Sequence, residues 1–423
     1  LIDDFRRVRV VQDDDKTVSF ILEEPFAPFV QYFTVGILPA MVWAEILPQN
    51  APLTALNLQP IGSGPYEFAK FAKDKRGSIR SYSLQRNDDF YASAPFIQTL
   101  TFKFYSDSTS LEEALQNKNV EGVGMVNFDG YEQVVGNSNV TLVSPLFPQE
   151  TNLYFNQALN PALADSVLRK AISGAIDKQK IVDEVLAGRA SVIQGPLLEG
   201  MIGFQPVATV FDTVAANSAL DEAGYDRLAN GMRKMKGVVI EENSEDEPAE
   251  EPEMLTFTLI AADTTQMRAV TQTIQQNIFA LGITLNLQFI PADLLFAQVI
   301  EPRNFELLLT SIVLSGDPDP YAFWHSSQAK AGGLNFVGYN NKEVDALIME
   351  ARKEKDETVR AQKYQLMAEI LAKDVPAVFL YQSRYTFAVG KKVHLTAPEY
   401  IFSPSNRFAD IASWYIKTKK ALR

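Results

Sequence analysis

The stretch MLTFTLIAADTTQMRAVTQTIQQNIFALGITLNLQFI, residues 254–290, decides the fold class of this 423-residue chain. Its first segment, Leu255–Ile260, has the composition of a strand. The threonines at 264–265 can cap a helix whose apolar residues recur every three to four positions, and Gly282 can end that helix. From Ile283 to Phe289, apolar and polar residues alternate strictly, as in a second strand. Strand, helix and strand with short joins predict a βαβ unit with parallel strands.

The flanking sequence extends this α/β pattern. An apolar run at Phe305–Leu314 predicts a further strand that is covered on both faces. Helical periodicity begins at the potential caps Asp165 and Asp177, and it returns near Lys342–Lys353 and Glu357–Leu371. Strand patterns dominate elsewhere, at 8–11, 17–22, 66–68, 79–84, 98–104, 375–381 and 386–389.

Helix-rich material thus lies between β-rich ends, which predicts two lobes. We expect a first lobe at residues 1–153, to which residues 381–423 return, and a second lobe at 154–380. Ligands of such folds tend to bind between the lobes. The stretch Glu241–Glu253 carries eight carboxylates and no base, and it is expected to form a solvated acidic insertion loop.

Composition excludes several classes of protein. Thirty-nine basic residues against 52 acidic ones give a net charge of −13, which argues against nucleic acid as a partner. The chain has no cysteine and two histidines, which excludes disulfide scaffolds, thiolate metal sites and multi-histidine metal centres. No stretch approaches 18 consecutive apolar residues. We expect a monomer without cofactor or bound metal.

The sequence contains no catalytic signature. The glycine-rich segment 62–65 lacks the lysine of a phosphate-binding loop and precedes a strand. The densest set of candidate residues is SGDPDPYAFWH, residues 315–325, which combines two carboxylates, two prolines and three aromatic rings at the end of a predicted strand. A ligand-facing loop, a turn that caps the next helix, and a metal site at Asp317, Asp319 and His325 are the three readings. His325 by itself suits a structural role.

Together, these motifs resemble family 5 extracellular solute-binding proteins, the peptide-binding components of ABC importers. Each motif is short, but their order along the chain is that of the family. The matching segments are 17–22 with 25–29, 37–39, 61–68, 84–91, 152–156, 168–172, 175–178, 316–320 and 339–345.

The resemblance implies an α/β, two-lobed, periplasmic-binding-protein-like (type II) fold with mixed sheets and an interlobe ligand cleft. It implies capture of peptides or similar solutes for delivery to an ABC permease in the membrane, and an extended ligand that pairs with strand edges. Backbone groups of Ile312, Leu314 and Ser315 are expected to carry affinity. Asp317 is the nearest substitute for the family's aspartate that binds a ligand ammonium group. The ligand-binding residues expected are Tyr154, Asn156, Ile312, Val313, Leu314, Ser315, Asp317, Tyr321 and Trp324, with Trp324 either an aromatic wall or a core residue.

The resemblance also implies an extracytoplasmic location, in the periplasm or at the outer face of the cell membrane. Family members usually carry well over a hundred residues before the hairpin that opens this chain, so we expect a truncated chain whose missing N-terminal segment provides an anchor. Two other functions stay open from sequence. One is a sensor or partner-binding module on the same fold, and the other is a hydrolase that uses Asp317 and Asp319.

Overall fold

The computed structural model describes residues 8–205, 211–236 and 253–417, and it contains two compact units. Unit 1 comprises Leu1–Phe33 and Pro148–Arg384, and unit 2 comprises Thr34–Phe147 and Tyr385–Arg423. The acidic insertion predicted at 241–253 lies outside the described residues except for Glu253.

Strands and helices alternate along most of the chain. The strands are β1 Arg9–Gln12, β2 Val18–Ile21, β3 Tyr66–Lys73, β4 Ile79–Arg86, β5 Thr99–Lys103, β6 Gly122–Val123, β7 Val140–Val143, β8 Leu146–Phe155, β9 Ala190–Val192, β10 Thr256–Ala262, β11 Thr284–Ile290, β12 Leu307–Val313, β13 Ala377–Arg384, β14 Phe387–Gly390, β15 Val393–His394 and β16 Tyr415–Ile416. The α-helices are α1 Ala40–Trp43, α2 Ser108–Gln116, α3 Tyr131–Val135, α4 Ser166–Ala175, α5 Lys178–Lys180, α6 Thr213–Glu222, α7 Thr265–Phe279, α8 Tyr321–Trp324, α9 Lys342–Lys353 and α10 Glu357–Asp374.

Short helical turns complete the described secondary structure. The 3₁₀ turns are Ala27–Thr34, Pro48–Leu53, Ala55–Leu58, Pro161–Ala164, Ser326–Gln328, Pro404–Phe408 and Ile411–Ser413, and the π turns are Ile181–Val185 and Phe296–Ile300.

Unit 1 is built on a six-stranded mixed sheet with the order β11-β10-β12-β8-β13-β9. Strand β10 is parallel to β11 and β12, whereas β12 is antiparallel to β8. The predicted βαβ unit is confirmed, because β10 and β11 are parallel neighbours and α7 connects them. At the start of α7, the Thr264 side chain accepts a hydrogen bond from the Met267 backbone N–H. Gly282 follows α7 with φ at 78°, a left-handed conformation that glycine adopts without strain.

A large apolar core covers one face of this sheet. Helices α9 and α10 pack on each other and direct Ile348 and Met367 into the core, where both are fully buried. Trp324 belongs to the same cluster and is 2% exposed. None of the helices in the described ranges is long and apolar enough to cross a membrane.

Unit 2 has its own smaller sheets and core. Strands β3, β4 and β5 form one antiparallel sheet, and β14 pairs with β6 and β7 in another. Its aromatic cluster includes Phe387 and Trp414, which the chain reaches only after it has completed unit 1. The C-terminal segment from Tyr385 thus groups with Thr34–Phe147 in unit 2.

The N-terminal hairpin is placed differently from the sequence expectation. Strands β1 and β2 pair as predicted, but they group with unit 1 and not with Trp414 in unit 2. Two contacts hold the segment after the hairpin on α9: Lys353 Nζ lies 2.5 Å from a Glu24 carboxylate oxygen, and the Arg352 guanidinium lies 4.7 Å from the Phe26 ring centroid. Neither contact could be anticipated from local sequence. That the two units act as ligand-closing lobes stays a prediction.

Ile274 on α7 tests the packing of the βαβ unit. Its side chain is fully buried, so Ile274→Ala should lower the free energy of unfolding by roughly 2–5 kcal/mol through lost burial and a residual cavity. Urea unfolding followed by circular dichroism measures the change. Gln272→Ala, at an exposed position of the same helix, is the control and should change stability by less than about 0.5 kcal/mol. Equal stability of the two variants would contradict this packing.

Candidate functional site

A cavity of about 910 Å³ lies within unit 1. Its volume is within the range of ligand sites, roughly 300–1,000 Å³. The end of β2 and the chain that follows it form one wall. The other wall comes from the loop after β12, from Gly200 and Ile202, and from the start of α10 with the residues just before it. The lining residues are Phe20–Phe26 with Ala27, Phe29, Val30 and Gln31, then Gly200, Ile202, Gly316, Asp317, Pro318, Glu354, Lys355, Glu357 and Arg360.

A buried ion pair holds the loop wall of this cavity. Arg360 Nη2 donates to both carboxylate oxygens of Asp317, at 2.6 and 2.7 Å, and to the Tyr364 hydroxyl at 3.0 Å. Both ionic side chains are 9% exposed. Burial by itself lowers the pKa of Arg360, but the hydrogen bonds and charges of Asp317 and Tyr364 together outweigh it, and the pKa is raised. The carboxylate predicted to bind a ligand ammonium group is thus already engaged, and we do not assign it that contact.

A second arginine, Arg352 on α9, holds the same loop at Asp319, two residues after Asp317. Arg352 Nε lies 3.1 Å from an Asp319 carboxylate oxygen, and its guanidinium lies 4.1 Å from the Tyr321 ring centroid. Burial raises the pKa of Asp319, although Arg352 opposes that shift. Tyr321 is therefore a stacking partner within the protein. Asp317 and Asp319 each belong to a separate ion pair, which is poorly suited to the acid–base pair of a hydrolase.

One side of β12 continues beyond the end of its pairing with β10, close to the loop. The seven residue pairs from Leu307–Phe155 to Val313–Gln149 place β12 against β8, and the Leu314 N–H donates to the Pro148 carbonyl at 2.7 Å. Alternate residues of an antiparallel strand face opposite neighbours, so Ile312 and Leu314 direct their backbone groups to β8.

The backbone groups of Ser311 and Val313 therefore face the β10 side. There the pairing with β10 ends at Leu309, and no strand in the described ranges continues it. Val313 is 54% exposed. The expectation that Ile312 and Leu314 offer backbone groups to a ligand is not met in this register, and Ser311 and Val313 offer them instead.

Strand β8 carries a buried polar cluster that the sequence did not indicate. Glu150 is 1% exposed, and its Oε1 accepts a hydrogen bond from Asn152 Nδ2 at 2.8 Å. Its Oε2 has no hydrogen-bond partner among the described residues. Burial raises the pKa of Glu150 to about 8. A carboxyl group in such surroundings is neutral at pH 7.

Other predicted site residues have structural partners. Tyr154 is 2% exposed in the core, and its hydroxyl accepts a hydrogen bond from Asn152. Asn156 is buried, donates to the Arg303 carbonyl at 2.9 Å and accepts from the backbone N–H of Ala158. These contacts position the chain around β8, and neither side chain lines the cavity.

The loop between β12 and α8 is held from within as well. The Ser315 hydroxyl donates to the Asp317 carbonyl at 2.5 Å. The Trp324 ring packs on Tyr339 and Phe379, with centroids 6.1 and 5.7 Å away, so it occupies the core and does not line the cavity. Among the predicted site residues, Asp317 lines the cavity, with its neighbours Gly316 and Pro318.

The His325 side chain makes its contacts within the protein, with Ser327 and Asp345. Its Nδ1 accepts a hydrogen bond from the Ser327 N–H at 3.1 Å and lies 3.8 Å from an Asp345 carboxylate oxygen. No group of three histidine, aspartate or glutamate side chains among the described residues is arranged to hold a metal ion.

Asp317→Asn tests the buried ion pair. Loss of the carboxylate charge leaves the Arg360 guanidinium buried without its counter-ion, so the free energy of unfolding should fall by roughly 3–5 kcal/mol. Asp263→Asn removes the acid of an exposed pair, Asp263–Arg268, and should lower the free energy of unfolding only slightly, because solvent screens this pair. Thermal or urea unfolding of the two variants compares them. A loss from Asp317→Asn no larger than that from Asp263→Asn would refute the structural role.

Glu150 predicts a pH dependence of stability. Because its folded pKa of about 8 lies above the ordinary value of 4.5, the folded state retains a proton that the unfolded state releases between these values. The retained proton adds its full contribution to the free energy of unfolding below about pH 4.5. This contribution is lost as the pH rises towards 8, at roughly 1 kcal/mol per pH unit. Urea midpoints from pH 5 to pH 8 measure this loss.

Glu150→Gln keeps the shape and removes the titration, so this variant should gain stability relative to the parent as the pH rises. Glu222→Gln, at an exposed position of α6, is the control and should follow the parent profile. Parallel profiles of Glu150→Gln and the parent would show that the carboxyl group titrates normally.

Comparison with known proteins places the chain in a family. The model of bacterial extracellular solute-binding proteins, family 5 Middle, matches residues 4–335. The oligopeptide-binding protein AppA of Bacillus subtilis is 26% identical over 371 residues, which are 85% of this chain and 62% of that protein. The probable D,D-dipeptide-binding periplasmic protein DdpA of Escherichia coli is 24% identical over 404 residues, covering 94% of this chain and 71% of that protein.

A solved structure supports the fold. The structure of AppA from Bacillus subtilis in complex with a nonapeptide covers 98% of this chain and 79% of that chain, with a TM-score of 0.70 and 24% sequence identity. The predicted fold class, a two-lobed α/β type II periplasmic-binding-protein fold, is thereby confirmed. The chain spans about 62% of the length of curated AppA. Because the family model covers more than three quarters of its residues, the chain belongs to family 5 of the bacterial extracellular solute-binding proteins.

Proposed function

We propose that this chain binds peptides or peptide-sized solutes outside the cytoplasm and delivers them to an ABC permease. The observation that carries this proposal is the 910 Å³ cavity lined by the loop after β12, in a member of a solute-binding family. The AppA structure named above contains a nonapeptide, and DdpA is named for D,D-dipeptides.

The proposed binding mode uses main-chain hydrogen bonds. An extended peptide that lies along the open side of β12 can exchange hydrogen bonds with Ser311 and Val313, which face that side. Main-chain pairing gives affinity without reading the ligand sequence. Ligand side chains can then occupy the cavity, where apolar surface such as Phe20 and Phe29 lies beside charged groups.

The proposed place and partner follow from the family. Its members are extracellular solute-binding proteins, and a carrier of this kind passes its cargo to a membrane permease. We propose the same for this chain, acting as a monomer in the periplasm or at the outer face of the cell membrane. Native mass spectrometry of the protein with peptide pools tests the binding step, and the absence of any peptide complex would refute it.

Val313→Pro tests the binding mode. Proline removes the N–H that faces the open side of β12 while the hydrogen bonds to β8 are retained, so peptide affinity should fall roughly 3- to 10-fold. Isothermal titration calorimetry measures the affinity. Val313→Ala keeps the N–H and should bind nearly as tightly as the parent.

Leu314→Pro is the positional contrast, because it removes the donor to Pro148 and should lower the melting temperature. Parental affinity of a folded Val313→Pro protein would contradict the binding mode and leave peptide binding itself intact.

A further inference from the structure

The cavity wall carries more negative than positive charge. Its lining includes five carboxylates, at Glu23, Glu24, Asp317, Glu354 and Glu357. It includes two cations, Lys355 and Arg360. Both walls of the cavity contribute carboxylates to this excess of negative charge.

Some of these charges already have opposite partners. Asp317 pairs with Arg360, and Glu24 pairs with Lys353 outside the lining. Glu354 Oε1 accepts hydrogen bonds from the backbone N–H groups of Lys355 and Asp356, which leave its charge in place. Three carboxylates, at Glu23, Glu354 and Glu357, and one ammonium group, at Lys355, thus line the cavity without an ion pair among the described residues.

Apolar rings lie beside these carboxylates. Phe20, Phe26 and Phe29 line the same cavity. An aromatic face next to a carboxylate suits the methylene stem and charged head of a lysine or arginine side chain. The Arg352 guanidinium, stacked on the Phe26 and Tyr321 rings, is an example of this chemistry at the same wall.

Arg360 adds little positive charge to this wall. Its guanidinium is 9% exposed and donates two hydrogen bonds to the Asp317 carboxylate, so the two charges offset each other.

We propose that the cavity selects positively charged solutes, and therefore prefers peptides that contain lysine or arginine. The inference rests on the proposed function and names the substrate class within it. Glu357 and Glu23 set the preference, and Lys355 opposes it. Because these groups are exposed, their effect is modest and depends on ionic strength.

The test compares three pentapeptides that differ only at the central residue: Ala-Ala-Lys-Ala-Ala, Ala-Ala-Gln-Ala-Ala and Ala-Ala-Glu-Ala-Ala. Titration calorimetry should give the tightest binding for the lysine peptide and the weakest for the glutamate peptide, with roughly 2- to 5-fold between neighbours. The spread should narrow when the ionic strength is raised from about 0.02 M to about 0.5 M.

Two variants of neighbouring charges sharpen the test. Glu357→Gln should reduce the preference for the lysine peptide roughly 2- to 5-fold, whereas Lys355→Gln, the matched control of opposite sign, should increase it. Both side chains are exposed, so both variants should keep the parental melting temperature.

Equal binding of the three peptides, or an unchanged preference in Glu357→Gln, would overturn the inference while the proposed function stands. If none of the peptides binds at any ionic strength, the proposed function fails with it.

Discussion

The antiparallel pairing of β8 with β12 is the constraint on which unit 1 depends. These strands are separated by about 150 residues of chain, yet they match over seven residue pairs in the middle of the six-stranded sheet. The pairing joins the parallel β10–β11–β12 half to β13 and β9. It also fixes the register, because a shift of one residue would reverse which backbone groups of β12 face β8. The direction in which the Ser311 and Val313 backbone groups point is therefore a consequence of this single pairing.

Buried charge positions the loop that follows β12. Asp317 and Asp319 hold it to α10 and α9 through separate arginines, at a desolvation cost that only close geometry offsets. The arrangement gives the loop a fixed shape at the cavity wall. It also gives Asp317 a structural role, because its carboxylate is already paired with Arg360 within the protein. The proposed ligand preference therefore rests on the exposed charges of Glu23, Glu357 and Lys355.

Much of the fold could be predicted because its signals are local. The βαβ unit follows from periodicity at 254–290, and the helices after Asp165 and Asn341 begin at their caps. Strand β8 escaped prediction because its buried centre contains Glu150, Thr151 and Asn152, a polar pattern that ordinarily indicates exposure. Only the neighbouring strands and the core supply its burial.

The candidate site could be predicted only in part, because some of its features follow from local sequence and others from tertiary contacts. The sequence by itself determined the fold class and the family, because motif order and strand–helix periodicity are properties of the chain; that the loop at 315–325 binds a ligand stays a prediction. The tertiary structure decided that Arg360 faces Asp317, that Trp324 belongs to the core, and that Ser311 and Val313 face the open side of β12. Each of these depends on which distant residue comes to lie opposite, and only the packing of strands and helices from remote segments fixes that choice.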